Sequence, residues 1–269
     1  MKALILAGGF GERLEAGLRS YTGPHREQLQ EWVADKPKGL VPIRIGRILE
    51  PILFYQVRQL EEAGINLSSV YIQTNARYFE QYLRKAKELG IPAGNVISNG
   101  VEMKECRLGP LGDLHFALEH GVGYNSPLLV MASDTLILDK DDVIWRIASI
   151  VDGYNQDTCS RMVVYEGNPS RLRQHGLVEV NNKVVCGFQE KPRDPEPIRS
   201  NLVNASIYIY TPEILREIPA LHGEHGRNET FNLIQLLFQR HCIRIEKVAS
   251  RVDIGTIEDV LQMNVEVAA

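Results

Sequence analysis

The feature that most constrains this chain is the regular exchange of short apolar runs with segments of helical periodicity. Residues 3–7, 69–73, 127–132 and 161–165 are five- or six-residue apolar runs that read as buried strands. Between most of them lie helix-period segments. Over residues 48–63, Leu49, Ile52, Leu53, Gln56, Leu60 and Ala63 fall near one helical face, and Gly64 ends the run. Residues 76–89 and 111–120 read the same way. This alternation through the first 150 residues predicts βαβ units, a mainly parallel sheet, and ligands at the carboxyl ends of strands.

Beyond residue 160 the pattern turns β-rich. Residues 177–180, 183–188 and 203–210 are strand-like, and Asn181-Asn182 between the first two predicts a hairpin. Residues 15–35, with Gly17, Gly23 and Pro24, break the periodicity and read as a long loop; residues 193–197 read as a surface loop. At 269 residues with no linker-like stretch, a single elaborated domain is expected. A net charge of −4 supplies no basic field for nucleic acid or an anionic membrane, so any polyphosphate must be met by local groups. No apolar run reaches the length of a membrane span or a signal-peptide core. Cys106, Cys159, Cys186 and Cys242 are widely spaced without a CxxC pair, which fits free thiols in a reducing cytoplasm.

Chemistry enters with Leu6-Ala7-Gly8-Gly9-Phe10-Gly11-Glu12-Arg13-Leu14, directly after the first strand. Glycines there let backbone N–H groups approach phosphate oxygens, and Arg13 adds a fixed positive charge. Leu14 occupies the third-glycine place of a GxGxxG fingerprint, and no GK[ST] ending follows, so neither common nucleotide motif is present. On its own the stretch fits a tight structural turn as well as a phosphate cradle. Asp35-Lys36-Pro37-Lys38 precedes another apolar segment, and Lys38 can reach a phosphate from there or stand as a solvated surface lysine. Asp134 follows the buried run 127–132, and Asp253 sits in Val252-Asp253-Ile254-Gly255-Thr256; each suits a hard cation or a turn. His222 and His225, around one glycine, read as a plain turn in preference to a zinc site.

Taken together and in order, these stretches resemble the sugar-1-phosphate nucleotidylyltransferases. The glycine-rich loop resembles their GxGxRL motif and residues 37–43 their PK-x-L-x-P-[VI] segment. Residues 108–114 resemble the G-x-x-G turn beside the base, 189–192 the EKP motif, 204–208 the N-A-G-[IL]-Y strand, and 253–256 the D-x-G-T motif. The resemblance implies a three-layer, Rossmann-like α/β sandwich with a mainly parallel central sheet and a β-rich sugar-binding subregion. Its nucleotide-binding half would span about residues 1–150 and its sugar phosphate-binding half about 151–269, with no appended β-helical domain.

The implied reaction joins an NTP to a sugar 1-phosphate with Mg²⁺, in a cytoplasmic enzyme that is a homo-oligomer in the family expectation. Attack of one anion on another needs positioning and charge neutralisation more than acid–base help. By resemblance, Leu6, Ala7, Gly8, Gly9, Gly11, Arg13, Gly109 and Asp134 bind the nucleotide, and Asp134 and Asp253 hold the metal. Arg13 steadies the departing pyrophosphate, Lys38 neutralises charge during attack, and Lys191 holds the sugar phosphate, with Gly176, Glu190 and Asn204 at the sugar.

Three departures from the pattern stand out: Glu12 where Ser or Thr is common, His175 for the tyrosine before Gly176, and Ser206 for a frequent glycine. Glu12 beside a triphosphate is unfavourable unless it meets a cation. It is also the one feature that suits a catalytically silent, sugar-nucleotide-sensing subunit of the same fold. A metal-dependent glycosyltransferase is the third reading, with no clear D-x-D at residues 133–135 to support it.

Overall fold

The computed structural model describes residues 1–138, 146–226 and 233–265. Strand β1 (Lys2–Ala7) lies inside a nine-stranded sheet and shows how the layers arise. Its alternate residues Ala3, Ile5 and Ala7 enter one apolar cluster while Leu4 enters another, as a period of two requires. On the first face pack α3 (Ile52–Glu62), α4 (Phe79–Glu88) and α6 (Ala148–Asp157), contributing Leu53, Tyr82 and Ile150. On the second pack α5 (Gly109–Ala117), α7 (Pro212–His225) and α8 (Leu233–Leu237), contributing Leu114, Ile214 and Leu237. The expected three layers are therefore present.

The sheet itself departs from the expectation. In sequence order the further strands are β4 (Val70–Thr74), β5 (Val96–Ser98), β6 (Leu128–Ala132), β8 (Ser160–Glu166), β9 (Gly176–Asn181), β10 (Val184–Glu190), β11 (Leu202–Tyr210) and β12 (Ile243–Val248). Across the sheet they run β5-β4-β1-β6-β11-β8-β12-β10-β9. The first four strands are mutually parallel. Strand β11 then runs antiparallel to both β6 and β8, and β10 runs antiparallel to β12 and β9, leaving only β8–β12 parallel in that half. The sheet is thus mixed, not mainly parallel. Burial runs cannot reveal this, because an interior strand covered on both faces is continuously apolar in either direction. At the starts of β8 and β12, Cys159 and Cys242 bring their Sγ atoms to 2.9 Å as free thiols.

Two local expectations also change. Residues 48–51 are not the first turn of a helix but strand β3 (Ile48–Pro51), a hairpin partner of β2 (Pro42–Ile45), and the helix begins only at Ile52. Pro51 keeps Glu50 extended, which forbids an earlier start. Residues 15–35 are not a loop but hold α1 (Glu12–Ser20) and α2 (Arg26–Val33), separated around Gly23-Pro24. Their apolar residues, Leu14, Leu18, Leu29, Trp32 and Val33, are too few per helix to show a period against a polar background, yet all are buried. They join Ile254, Ile257 and Val260 in a third cluster that ties the amino-terminal helices to α9 (Ile257–Val265). The predicted hairpin forms as expected, with Asn182 and Lys183 both left-handed (φ 49° and 63°), the requirement of a tight primed turn. His222 and His225 lie in the last turn of α7, not in a loop. No described helix is long and apolar enough to cross a membrane.

Gly39 is the tightest junction between the loop after α2 and the sheet. A Cβ there would lie 2.7 Å from the Tyr82 hydroxyl, closer than real contacts allow, and a tight 3.0 Å from the Ser133 carbonyl oxygen. Gly39→Ala should lower stability by about 1–3 kcal/mol through forced displacement of the lysine-bearing segment; chemical denaturation of the two proteins measures it.

Candidate active site

The glycine-rich loop emerges from β1 with its carbonyls tied down. Ser133 N donates to Leu6 O (2.9 Å), Thr74 Oγ1 to Ala7 O (3.2 Å), and Asn75 Nδ2 to Gly8 O (3.1 Å). The ends of β4 and β6 therefore fix the loop from either side. A Cβ at Gly9 would meet nothing within 4 Å, so the loop borders open space. Gly11 is left-handed (φ 68°) and turns the chain into α1. Glu12, the unexpected carboxylate, meets Lys104 at 3.2 Å and Arg107 at 3.3 Å. Those cations resolve the electrostatic conflict that the sequence raises.

Beside the loop the structure assembles five charged residues, most of them far apart in sequence. Lys38 Nζ donates to Asp134 Oδ2 at 2.8 Å. Asp134 lies in the turn between β6 and β7 (Thr135–Leu138), and β7 pairs antiparallel with β13 (Ser250–Asp253), setting Asp253 opposite Thr135. Ile254 N donates to Asp134 O at 3.1 Å, which brings the two aspartates together. Arg251 Nη2 contacts Asp253 Oδ2 at 3.1 Å and donates to Thr135 Oγ1 at 3.1 Å. Arg13 reaches the same place, since a Cβ at Gly255 would lie 3.2 Å from its Nη2.

The two carboxyls are held apart electrostatically. Burial pushes Asp134 up, but the Lys38 ammonium outweighs it and keeps the carboxyl below its ordinary range. Burial holds Asp253 above its ordinary value, with Arg251 opposing and Asp134 adding to the rise. Asp253 Oδ1 is buried without a hydrogen-bond partner, an acceptor left for a cation. No group of three or more His, Cys, Asp or Glu that could hold a metal exists among the described residues. Two carboxylates, one of them with an unpartnered oxygen, make a donor set of the kind Mg²⁺ takes when phosphates and water complete its shell.

The sugar candidates stand on and beside the β9–β10 ladder and on β11. Gly176 and Glu190 face each other across the β9–β10 ladder, and a Cβ at Gly176 would lie 3.0 Å from Glu190 Oε2. Burial raises the Glu190 carboxyl against the opposing charge of Lys191, 3.7 Å away. Lys191 is left-handed (φ 46°), half-exposed, and anchored by its N–H to His175 O (3.1 Å). Burial lowers the His175 imidazole, helped by Arg251, Arg171 and Lys191, so this side is electrically continuous with the aspartate pair. Asn204 Nδ2 donates to the Tyr208 hydroxyl at 2.5 Å while its Oδ1 accepts from Ser206 N at 2.9 Å. Ser206 is itself left-handed (φ 59°), at a register shift between β11 and β8, which explains why glycine suits that position.

Sequence reasoning missed two residues. Arg251, buried beside Asp253, was discernible only as a charge two places before the D-x-G-T aspartate. Asp113 stands in the otherwise apolar face of α5, whose first residue Gly109 is left-handed (φ 75°). Its Oδ1 accepts from Gln73 Nε2 (3.0 Å) and Asn99 Nδ2 (2.8 Å), and burial pushes the carboxyl up to about 6. A lone charge inside an apolar helical stripe was the available signal.

The nucleotidyl transferase family model matches residues 29–269. The chain belongs to this family. Among curated relatives, it is 25% identical over 227 residues to the UTP–glucose-1-phosphate uridylyltransferase of Synechocystis, covering 82% of this chain and 51% of that protein. It is 29% identical over 227 residues to the catalytic subunit beta of the zebrafish (Danio rerio) mannose-1-phosphate guanylyltransferase, covering 81% and 52%. The chain thus spans about half the length of these nucleotidyl transferase relatives. Its fold matches that of a putative glucose-1-phosphate thymidylyltransferase from Bacillus anthracis with a TM-score of 0.71 at 21% identity, over 98% of this chain and 94% of that one.

Asp113 yields a pH test. Its folded value near 6 exceeds the ordinary unfolded value near 4, so its contribution is fully present below about pH 4 and is lost as pH rises through about 6. Asp113→Asn should therefore gain about 1–1.5 kcal/mol relative to the native chain between pH 5 and pH 8. Urea titrations of both proteins across that range read the difference.

Proposed function

We propose that this chain transfers a nucleotidyl group from an NTP to a sugar 1-phosphate, giving an NDP-sugar and pyrophosphate. The observation that carries the reading is the meeting of Lys38, Asp134, Asp253 and Arg13 beside the glycine-rich loop. Family membership and the names of the relatives support the same activity.

The acceptor's phosphate oxygen attacks the α-phosphorus in line, and the bond from that phosphorus to the bridging oxygen of the β-phosphate breaks. Both reactants are anionic, so the protein's task is to bring them together and spread the charge. The loop at Gly8, Gly9 and Gly11 offers backbone N–H groups to the phosphates, and Arg13 neutralises the departing pyrophosphate. Lys38 is held ready on Asp134 and exchanges that partner for a phosphate oxygen. Mg²⁺ held by Asp134 and Asp253 would supply additional charge neutralisation at the phosphates. On the acceptor side, Lys191 meets the sugar phosphate, while Glu190 and Asn204 meet hydroxyls. Glu12 no longer favours a silent sensor, since Lys104 and Arg107 neutralise it.

Pyrophosphate release should be seen with Mg²⁺ in a matrix of NTPs and dNTPs against sugar 1-phosphates and polyol phosphates. Asp134→Ala and Asp253→Ala should each lower kcat by roughly 10²–10³-fold or more, and Lys38→Ala by a similar factor, with folding retained by circular dichroism. Native-like turnover in both aspartate variants would remove the metal assignment, and a blank matrix with intact nucleotide binding would favour the sensor.

A further inference from the structure

Cys159 and Cys242 are 83 residues apart in sequence, and the parallel β8–β12 ladder makes them neighbours. Its register sets Ile243 beside Ser160 and Arg244 beside Arg161, so the residue before each strand sets Cys242 beside Cys159. Side chains two residues apart in a strand share a face. Arg161 and Arg244 both reach Asp157 at the end of α6, at 2.7 and 3.0 Å, and the two sulfurs meet on that same face, 2.9 Å apart. Both backbones are tied down. Cys159 N donates to Asp157 Oδ1 at 3.0 Å, and Cys242 follows the turn in which His241 N donates to Leu237 O at 2.8 Å. Neighbouring strands lie about 4.8 Å apart, inside the roughly 4.4–6.8 Å between Cα atoms that a disulfide spans. Bond formation therefore asks for side-chain rotation and no movement of the sheet. Cys242 is exposed and Cys159 partly buried, so a small oxidant reaches the pair, and the Arg244 guanidinium stands beside both sulfurs.

We propose that Cys159 and Cys242 form a reversible modification site, oxidised to an intramolecular disulfide by small-molecule disulfides of the glutathione class. One cysteine thiolate attacks a sulfur of the oxidant, whose S–S bond breaks and releases one thiol, leaving a mixed disulfide on the protein. The second cysteine, already in contact, gives up its proton to solvent and attacks the first cysteine's sulfur. The mixed disulfide breaks and releases the second thiol. Two cysteines are oxidised, one disulfide is reduced to two thiols, and excess thiol reverses the exchange. Neither cysteine belongs to the site described above. Strand β8 runs in the direction of β6, whose carboxyl end leads to Asp134, so the starts of β8 and β12 lie at the edge of the sheet away from the charge cluster. The bond closes a loop that holds β9, β10, β11, α7 and α8, and its effect is to restrict the unfolded chain. It is a staple on the strand that leads into Arg251 and Asp253.

The test equilibrates the whole native chain with an excess of oxidised glutathione, quenches with acid, and labels the remaining thiols with a maleimide. Two of the four thiols should be lost together, with Cys106 and Cys186 still labelled, and peptide mass mapping should find Cys159 joined to Cys242 in monomeric protein. Dithiothreitol should restore all four. Urea titration of the oxidised protein should show a midpoint higher by about 1 M, the size that a typical disulfide stabilisation and a typical urea slope give. Cys159→Ser should instead stop at a stable glutathione adduct on Cys242, because the resolving thiol is gone, and its midpoint should not rise. Four labelled thiols in the oxidised native chain overturn the site, and so does an adduct on Cys242 that persists without the linked peptide. A linked peptide with an unmoved midpoint overturns the staple. If Cys159→Ser does not fold, the native mass map and midpoint decide both.

Discussion

Everything at this site hangs on one antiparallel ladder. The β7–β13 pairing puts Asp253 opposite Thr135, and the Ile254 N–H closes onto the Asp134 carbonyl. Without it the two carboxylates would be independent surface groups. With it they form a pair that the protein compensates by Lys38 on one member and Arg251 on the other. The cations are not decoration, because two buried like charges this close cannot both stay ionised unaided.

The same electrostatic logic divides the loop after β1. One glycine faces a lysine and another a carboxylate, so the two flanks of the loop differ in charge. Glu12 is taken out of this field by Lys104 and Arg107, and burial and the cations around it lower the His175 imidazole. Residues that look anomalous against the family pattern are thus each answered by a neighbour that only the fold brings near.

How much of this was legible in the sequence follows from the range of each interaction. The strands, the helices over the sheet and the Asn182-Lys183 turn depend on local periodicity and turn chemistry, and they are readable. The motif residues Gly8, Gly11, Lys38, Asp134 and Asp253 were visible as short patterns, though their company was not. Strand direction was not legible, since β11 is as apolar as a parallel strand would be. Helices α1 and α2 were hidden by their polar surroundings. Arg251 and Asp113 acquire meaning only from partners far away in the chain, at Asp253, Gln73 and Asn99.

The β7–β13 ladder also bears on how the molecule comes into being. Its partners are separated by more than a hundred residues, and β12, which pairs with β8, lies between them in sequence. Such long-range closure is slow relative to local structure, because chain entropy is lost before the contacts form. On the ribosome, the glycine-rich loop and its supporting strands would emerge more than two hundred residues before the second aspartate. The charge cluster is therefore assembled only once β13 has formed, so that a copy folded without that strand carries a nucleotide loop without its second carboxylate.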